Sequence, residues 1–323
     1  MVKSKRIKPY LYEYPEIKLN SRKIQKDKFL KEIFWFDSPV ESPHPQNNTA
    51  YGYILRNNSK NLLIFIHGLR AKRCDTWGNA GITFIDAGFD VLFLRLPYHG
   101  KRAHKNYPLG DFFLQVNPVL QLQNFEQAVL EVKLCIDFFS KDYDEIYIMG
   151  TSLGAIVGTI AVALDNRIKK AVFVNLGGDF GKIVWKGAGL GEFRKRHLKE
   201  GVTYQKCKRT RSYYDDFLRE VKKCKSIDEI WDIEIEGERC YPCKGFNIPS
   251  ECYYADPLTF LNFVEIPVLL INGIFDLTIQ YPCKIKVIES LKDKKVIWLP
   301  CEHISTGIFH TILFQKSISF LKD

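Results

Sequence analysis

The 323-residue sequence has no uninterrupted apolar run of the roughly 18 residues that a membrane span needs, which argues against a transmembrane helix. Its start, Met1 to Pro9, is basic but is not followed by an apolar stretch, so no signal peptide is expected and a cytoplasmic location is the default. Glycine (21) and proline (14) are too scarce for a collagen-like or disordered chain. Nine cysteines are odd in number and too sparse for a disulfide scaffold. Neither a G-x-x-x-x-G-K-[ST] loop nor a G-x-G-x-x-G turn is present, so phosphate-cradling and dinucleotide-binding loops are missing and no cofactor is required. What is there is a globular composition, with 46% apolar and 14% aromatic residues.

Basic side chains outnumber acidic ones, 47 to 37, for a formal charge of +10. The excess is local: residues 1–31 hold 10 basic and 3 acidic groups, residues 182–225 hold 14 and 5, and the remaining chain is mildly acidic. A basic excess ordinarily invites a nucleic-acid or anionic-membrane reading. Residues 226–255, however, carry 7 acidic and 2 basic groups, so pairing within that region is the simpler account and no nucleic-acid partner is expected.

Apolar periodicity predicts strands at 61–67, 90–95, 145–149, 171–175, 267–272 and 295–299. Helices are predicted near 75–88, 118–140, 153–164, 281–291 and 306–321. Such alternation is that of an α/β fold with a mostly parallel, doubly wound sheet. The rhythm lapses at 179–255, where only helix-like pieces at 190–200 and 212–224 stand out. The reading is an N-terminal extension over 1–50, a core over 51–178 and 256–323, and an inserted lid or cap over 179–255. No internal repeat or low-complexity tract is evident.

Gly150-Thr151-Ser152-Leu153-Gly154 falls where a strand ends and a helix begins, the setting of a G-x-S-x-G nucleophile elbow. The alternative is a glycine-rich turn with a helix-capping serine. An unassisted hydroxyl is a poor nucleophile, so Ser152 needs a base and an orienting acid. Of the later histidines, His303 follows the last strand directly, whereas His197 lies in the charged insertion and His310 in the last helix. Asp276 follows the strand 267–272, and its rival is Asp179 after the preceding strand.

From about residue 50 onward the chain resembles the α/β-hydrolase superfamily, in its serine esterase and lipase-like branches. The marks are His67-Gly68, Pro97-Tyr98-His99-Gly100, the elbow at 150–154, and the Asp276 and His303 loops, each after a predicted strand. Cys301-Glu302 departs from the glycines that many relatives carry before the base. The resemblance implies Ser152 as nucleophile, His303 as base and Asp276 as orienting acid. It also implies an oxyanion hole from the Leu69 and Leu153 N–H groups, and substrate contacts or loop shaping by His67, Gly68, Tyr98 and His99.

The remaining signals leave alternatives. Cys240-Tyr241-Pro242-Cys243 has one pair at zinc-ligand spacing, with Cys207, Cys224 and Cys252 nearby. Packed free thiols are preferred over a disulfide or a metal there, and no metal is expected. Cys74, Cys135, Cys283 and Cys301 are expected as buried thiols. Aromatic residues of the insertion, among them Trp185, Phe193, Tyr214 and Phe217, line a substrate pocket or form the lid's own core. The leading function is a carboxylic-ester hydrolase acting on a small-molecule ester through an acyl-enzyme, without a cofactor and with room for a homo-oligomer. A peptidase or thioesterase with the same triad is the alternative within that chemistry. A non-catalytic binder of an anionic partner is the alternative outside it.

Overall fold

The structure, a computed structural model, describes all residues except 1–3, 27, 76–78, 108, 237–246 and 249–250. Among the described residues nine strands form the main sheet: β1 (Asn20–Gln25), β2 (Leu30–Asp37), β3 (Thr49–Arg56), β4 (Asn61–Ile66), β5 (Asp90–Leu94), β6 (Glu145–Thr151), β7 (Ile168–Val174), β8 (Val268–Gly273) and β9 (Lys294–Leu299). Their spatial order is β9-β8-β7-β6-β4-β5-β3-β2-β1. The strands from β4 onward pair in parallel with one another, whereas β3 pairs antiparallel with β5, and β2 and β1 follow antiparallel at the edge. Residues 20–37, within the stretch read as an extension, therefore extend the sheet. In β2, Phe34 and Phe36 point inward and Trp35 outward, the alternation of a half-buried strand.

Parallel strands are buried on both faces, and helices cover them here. On one side pack α2 (Pro118–Phe139) and α3 (Leu153–Leu164), against Leu62, Ile64, Ile148, Phe173 and Leu270. On the other, α1 (Ala80–Asp86) and α10 (His310–Lys322) meet Leu63, Phe65, Met149, Val172 and Leu269. The start of α2 is fixed by Asn117, whose side chain accepts from the Val119 N–H at 2.9 Å, followed by Pro118 in the first turn. Helix α1 is shorter than the predicted 75–88, and a 3-10 turn at Ser305–Phe309 replaces the first turn of the predicted last helix. Among the described residues no helix is long and apolar enough to cross a membrane.

Between β7 and β8 come α4 (Phe180–Lys186), α5 (Gly191–Lys199), α6 (Tyr204–Ser212), α7 (Tyr214–Val221) and the short α8 (Glu251–Tyr254). Helices α4 and α6 carry no clear apolar period and were not expected. Asp179 caps α4 by accepting from the Lys182 N–H at 3.0 Å and pairs with Arg211 of α6. Further pairs within this region join Glu192 to Lys195, Asp216 to Arg219 and Glu220 to Lys223. The helix after β8 is α9 (Tyr281–Ser290).

Cys74, Cys135, Cys283 and Cys301 are buried thiols. Cys240 and Cys243 lie outside the described residues. Among the described residues no His, Cys, Asp and Glu side chains are grouped to hold a metal ion.

Candidate active site

Ser152 occupies the single residue between β6 and α3, with φ 52° and ψ −115°. A non-glycine residue at positive φ is strained and is held there by its surroundings. The Ser152 N–H donates to the Val174 carbonyl at 2.8 Å, and the Ser152 carbonyl accepts from the Ala155 N–H at 2.9 Å. The flanking glycines permit the turn, since a Cβ on Gly150 would fall 2.7 Å from the Ala155 Cα.

His303, in the loop after β9, has Nε2 2.9 Å from Ser152 Oγ and Nδ1 2.8 Å from Asp276 Oδ2. The sequence separations are 151 and 27 residues, so the sheet alone brings the three together. Asp276 Oδ1 accepts from the Thr278 and Ile279 N–H groups, both at 2.9 Å. Burial pushes the Asp276 carboxyl up, but the His303 ring and the Lys284 ammonium outweigh it and hold the group below its ordinary range. With the carboxylate fixed on Nδ1, Nε2 faces the hydroxyl, the arrangement that a base needs.

Two side chains that sequence reasoning passed over tie these loops together. Asn175, just after β7 and also at positive φ (52°), donates to Thr306 Oγ1 at 2.8 Å and to the His303 carbonyl at 3.3 Å. Its Oδ1 accepts from the Gly273 N–H at 2.9 Å. Lys284 of α9 is buried with its Nζ 2.8 Å from Asp276 Oδ2.

The rival residues are engaged elsewhere. Asp179 is committed to its helix cap and to Arg211. His197 Nδ1 contacts the Phe193 carbonyl at 3.0 Å within α5, and His310 Nδ1 contacts the Gly307 carbonyl at 3.0 Å.

A cavity of about 350 Å³ opens at Ser152 and His303, walled by Leu69, Leu153, Ile156, Phe180, Ile183 and Leu190. Among the described residues no acceptor takes the Leu69 or Leu153 N–H. Ile304, which also lines the cavity, stands exposed. A smaller cavity of about 80 Å³ lies beyond Phe180, between Trp185, Phe193 and Tyr214, while Phe217 is packed in the core.

Of the two roles expected for His67, Tyr98 and His99, loop shaping or substrate contact, their contacts are those of loop shaping, and none of the three lines the cavity. Both imidazoles are fully buried outside the cavity lining, with ring centroids 4.8 Å apart. His67 Nε2 accepts from the Leu96 N–H at 3.2 Å and its Nδ1 contacts the Gly68 carbonyl at 2.8 Å, while His99 Nδ1 contacts the Pro97 carbonyl at 2.8 Å. Burial pushes His67 well below its ordinary range and His99 down to about 4, so both rings are neutral packing groups. Tyr98 turns away to Ser42, 2.9 Å between hydroxyls. Gly68 is also absent from the lining, but it backs the nucleophile: a Cβ there would stand 3.4 Å from the Ser152 Cβ.

No protein-family model and no curated protein sequence matches this chain. Solved structures do. An acetyl xylan esterase from Paenibacillus sp. R4 superposes with a TM-score of 0.64 at 14% identity over 94% of this chain and 89% of its own. Acetyl xylan esterase 1 from Thermoanaerobacterium sp. JW/SL YS485 gives 0.59 at 14% over 94% and 88%. A cold-adapted esterase from an Arctic intertidal metagenomic library gives 0.57 at 14% over 94% and 97%. At such identity the likeness establishes the fold, which is the α/β-hydrolase fold.

Proposed function

We propose that the protein is a serine hydrolase that cleaves small carboxylic esters with a largely apolar acyl group through an acyl-enzyme. The observation that carries this reading is the His303 ring bridging Ser152 Oγ at 2.9 Å and Asp276 Oδ2 at 2.8 Å. Ser152 Oγ attacks the acyl carbonyl as His303 Nε2 takes its proton, and Asp276 stabilises the imidazolium. The Leu69 and Leu153 N–H groups receive the oxyanion, each such donor contributing about 3 kcal/mol in comparable sites. His303 then returns its proton to the leaving alkoxide. Water, deprotonated by the same ring, attacks the acyl-enzyme and releases the acid.

The apolar walls of the cavity, Ile156, Phe180, Ile183 and Leu190, favour an aliphatic or aryl acyl group over a charged one. Three of those four belong to residues 179–255, and in this reading that region is the lid that sets the substrate. The solved structures of similar fold are described as esterases, which agrees with ester chemistry.

Hydrolysis of p-nitrophenyl esters of increasing acyl length, by the wild type and by Ser152→Ala, tests the reading. The expected outcome is turnover on short to medium chains that falls by several orders of magnitude in the variant. Two equally inert proteins across the series would overturn it, and salt-sensitive retention on heparin would then favour a binder of anions.

A further inference from the structure

Lys284 is 1% exposed, and Asp276, its partner, is equally buried at 1%. Lysine is rarely buried without strong compensation, and here the compensation is complete. Nζ lies 2.8 Å from Asp276 Oδ2, 3.0 Å from the Gly273 carbonyl and 3.4 Å from Asn175 Oδ1, one acceptor for each ammonium proton. The Asp276 oxygen it meets is the one facing His303 Nδ1 at 2.8 Å. With two backbone N–H groups on Oδ1, the carboxylate has four donors and no rotational freedom.

A lone carboxylate behind the base would supply a full negative charge to stabilise the imidazolium. Beside Lys284 that carboxylate is one half of an ion pair with its second oxygen held by the backbone, so it cannot turn away from the ring. We propose that Lys284 is a positioning residue that locks Asp276 onto His303 Nδ1 and so keeps Nε2 aimed at Ser152 Oγ. This rests on the reading of Ser152, His303 and Asp276 as the catalytic set.

The surroundings leave few other charges to act. The ammonium faces Asp276 from the loop after β8, Cys283 from its own helix, Cys301 from the loop after β9 and the neutral Asn175 after β7. Burial pushes the Cys283 thiol up to about 12, so it carries no charge near neutrality. The Trp298 ring lies 6.0 Å from Nζ.

The test is kcat and KM on one p-nitrophenyl ester for wild type, Lys284→Met and Lys284→Gln, with Ser152→Ala as the blank. The loosened carboxylate should lower kcat about tenfold in both variants with little change in KM. Folded variants with the wild-type kcat would overturn the proposal. So would the failure of both to fold, since the lysine would then be a structural member only. If Ser152→Ala matches the wild type, the catalytic reading itself fails, an outcome separate from either result on Lys284.

Discussion

Gly154 stands against the end of β4 so closely that a Cβ on it would press into the Ile66 carbonyl oxygen and come within 2.6 Å of that of His67. This contact sets the first turn of α3 beside the loop that carries Leu69, and so fixes the distance between the two N–H groups assigned to the oxyanion. Gly154→Ala must push α3 and β4 apart, because both opposing atoms are backbone. The expected result is a fall in kcat of about a hundredfold or more, the scale of a 1 Å misplacement, with a stability loss of roughly 1–3 kcal/mol. Steady-state kinetics beside urea unfolding check both. An active enzyme with wild-type kcat would show that the close approach has no bearing on the site.

Phe180 divides the cavity at Ser152 from the smaller one between Trp185, Phe193 and Tyr214. Phe180→Ala should join them and shift the preferred acyl chain towards longer esters, with kcat/KM for the longer chain gaining about tenfold over the shorter. The ratio across a p-nitrophenyl ester series reads this directly. An unchanged ratio in a folded variant would mean that acyl groups do not point towards Phe180.

Arg102 and Glu131 form a buried two-point ion pair, with N–O distances of 2.7 and 2.6 Å and both side chains at most 1% exposed. Ser38 Oγ donates to the same carboxylate at 2.7 Å, and the guanidinium also reaches the Asn47 and Arg95 carbonyls. The pair pins the turn after β5 to α2. Glu131→Gln leaves a buried guanidinium without its counter-charge and should cost about 3–5 kcal/mol, whereas the double variant Arg102→Met with Glu131→Leu should recover much of it. Urea midpoints of the two proteins decide the matter. A single variant as stable as the wild type would show that the charge finds compensation elsewhere.

The parallel strands were legible because each is a short apolar run bounded by turn residues, and the same pattern placed Ser152, Asp276 and His303 at strand ends. The antiparallel strands β1, β2 and β3 lie outside the predicted set: the edge strand β1 is polar on both faces, with only Ile24 half-buried, and β2 hides its alternation under Lys31, Glu32 and Trp35. Helices α4 and α6 take their ends from Asp179 and Thr203 caps, which a charged stretch conceals. Asn175 and Lys284 were invisible for another reason. Their roles depend on what lies across the sheet, and a lysine in a polar-looking helix carries no local sign that its face is buried. His67 and His99 stand next to glycines at strand ends, where the sequence leaves loop shaping and substrate contact both open until burial is known.

His99 also governs how the protein responds to acid. Its ring is held down to about 4 in the folded state, first by burial and then by the Arg95 and Arg102 charges, against an ordinary value of 6.5. Between those two values the unfolded chain binds the proton and the folded one does not, so stability rises with pH across that window. The contribution is full above about 6.5 and is lost as pH falls towards 4, on the order of 3 kcal/mol from this ring alone. His67, pushed down by burial in the same way, adds to the slope. His99→Asn should therefore flatten the dependence of unfolding free energy on pH between 6.5 and 4 by one proton's worth, whatever its effect on stability at pH 8. Urea unfolding at half-unit steps of pH measures the difference, and parallel curves for variant and wild type would show that His99 is already protonated in the folded protein.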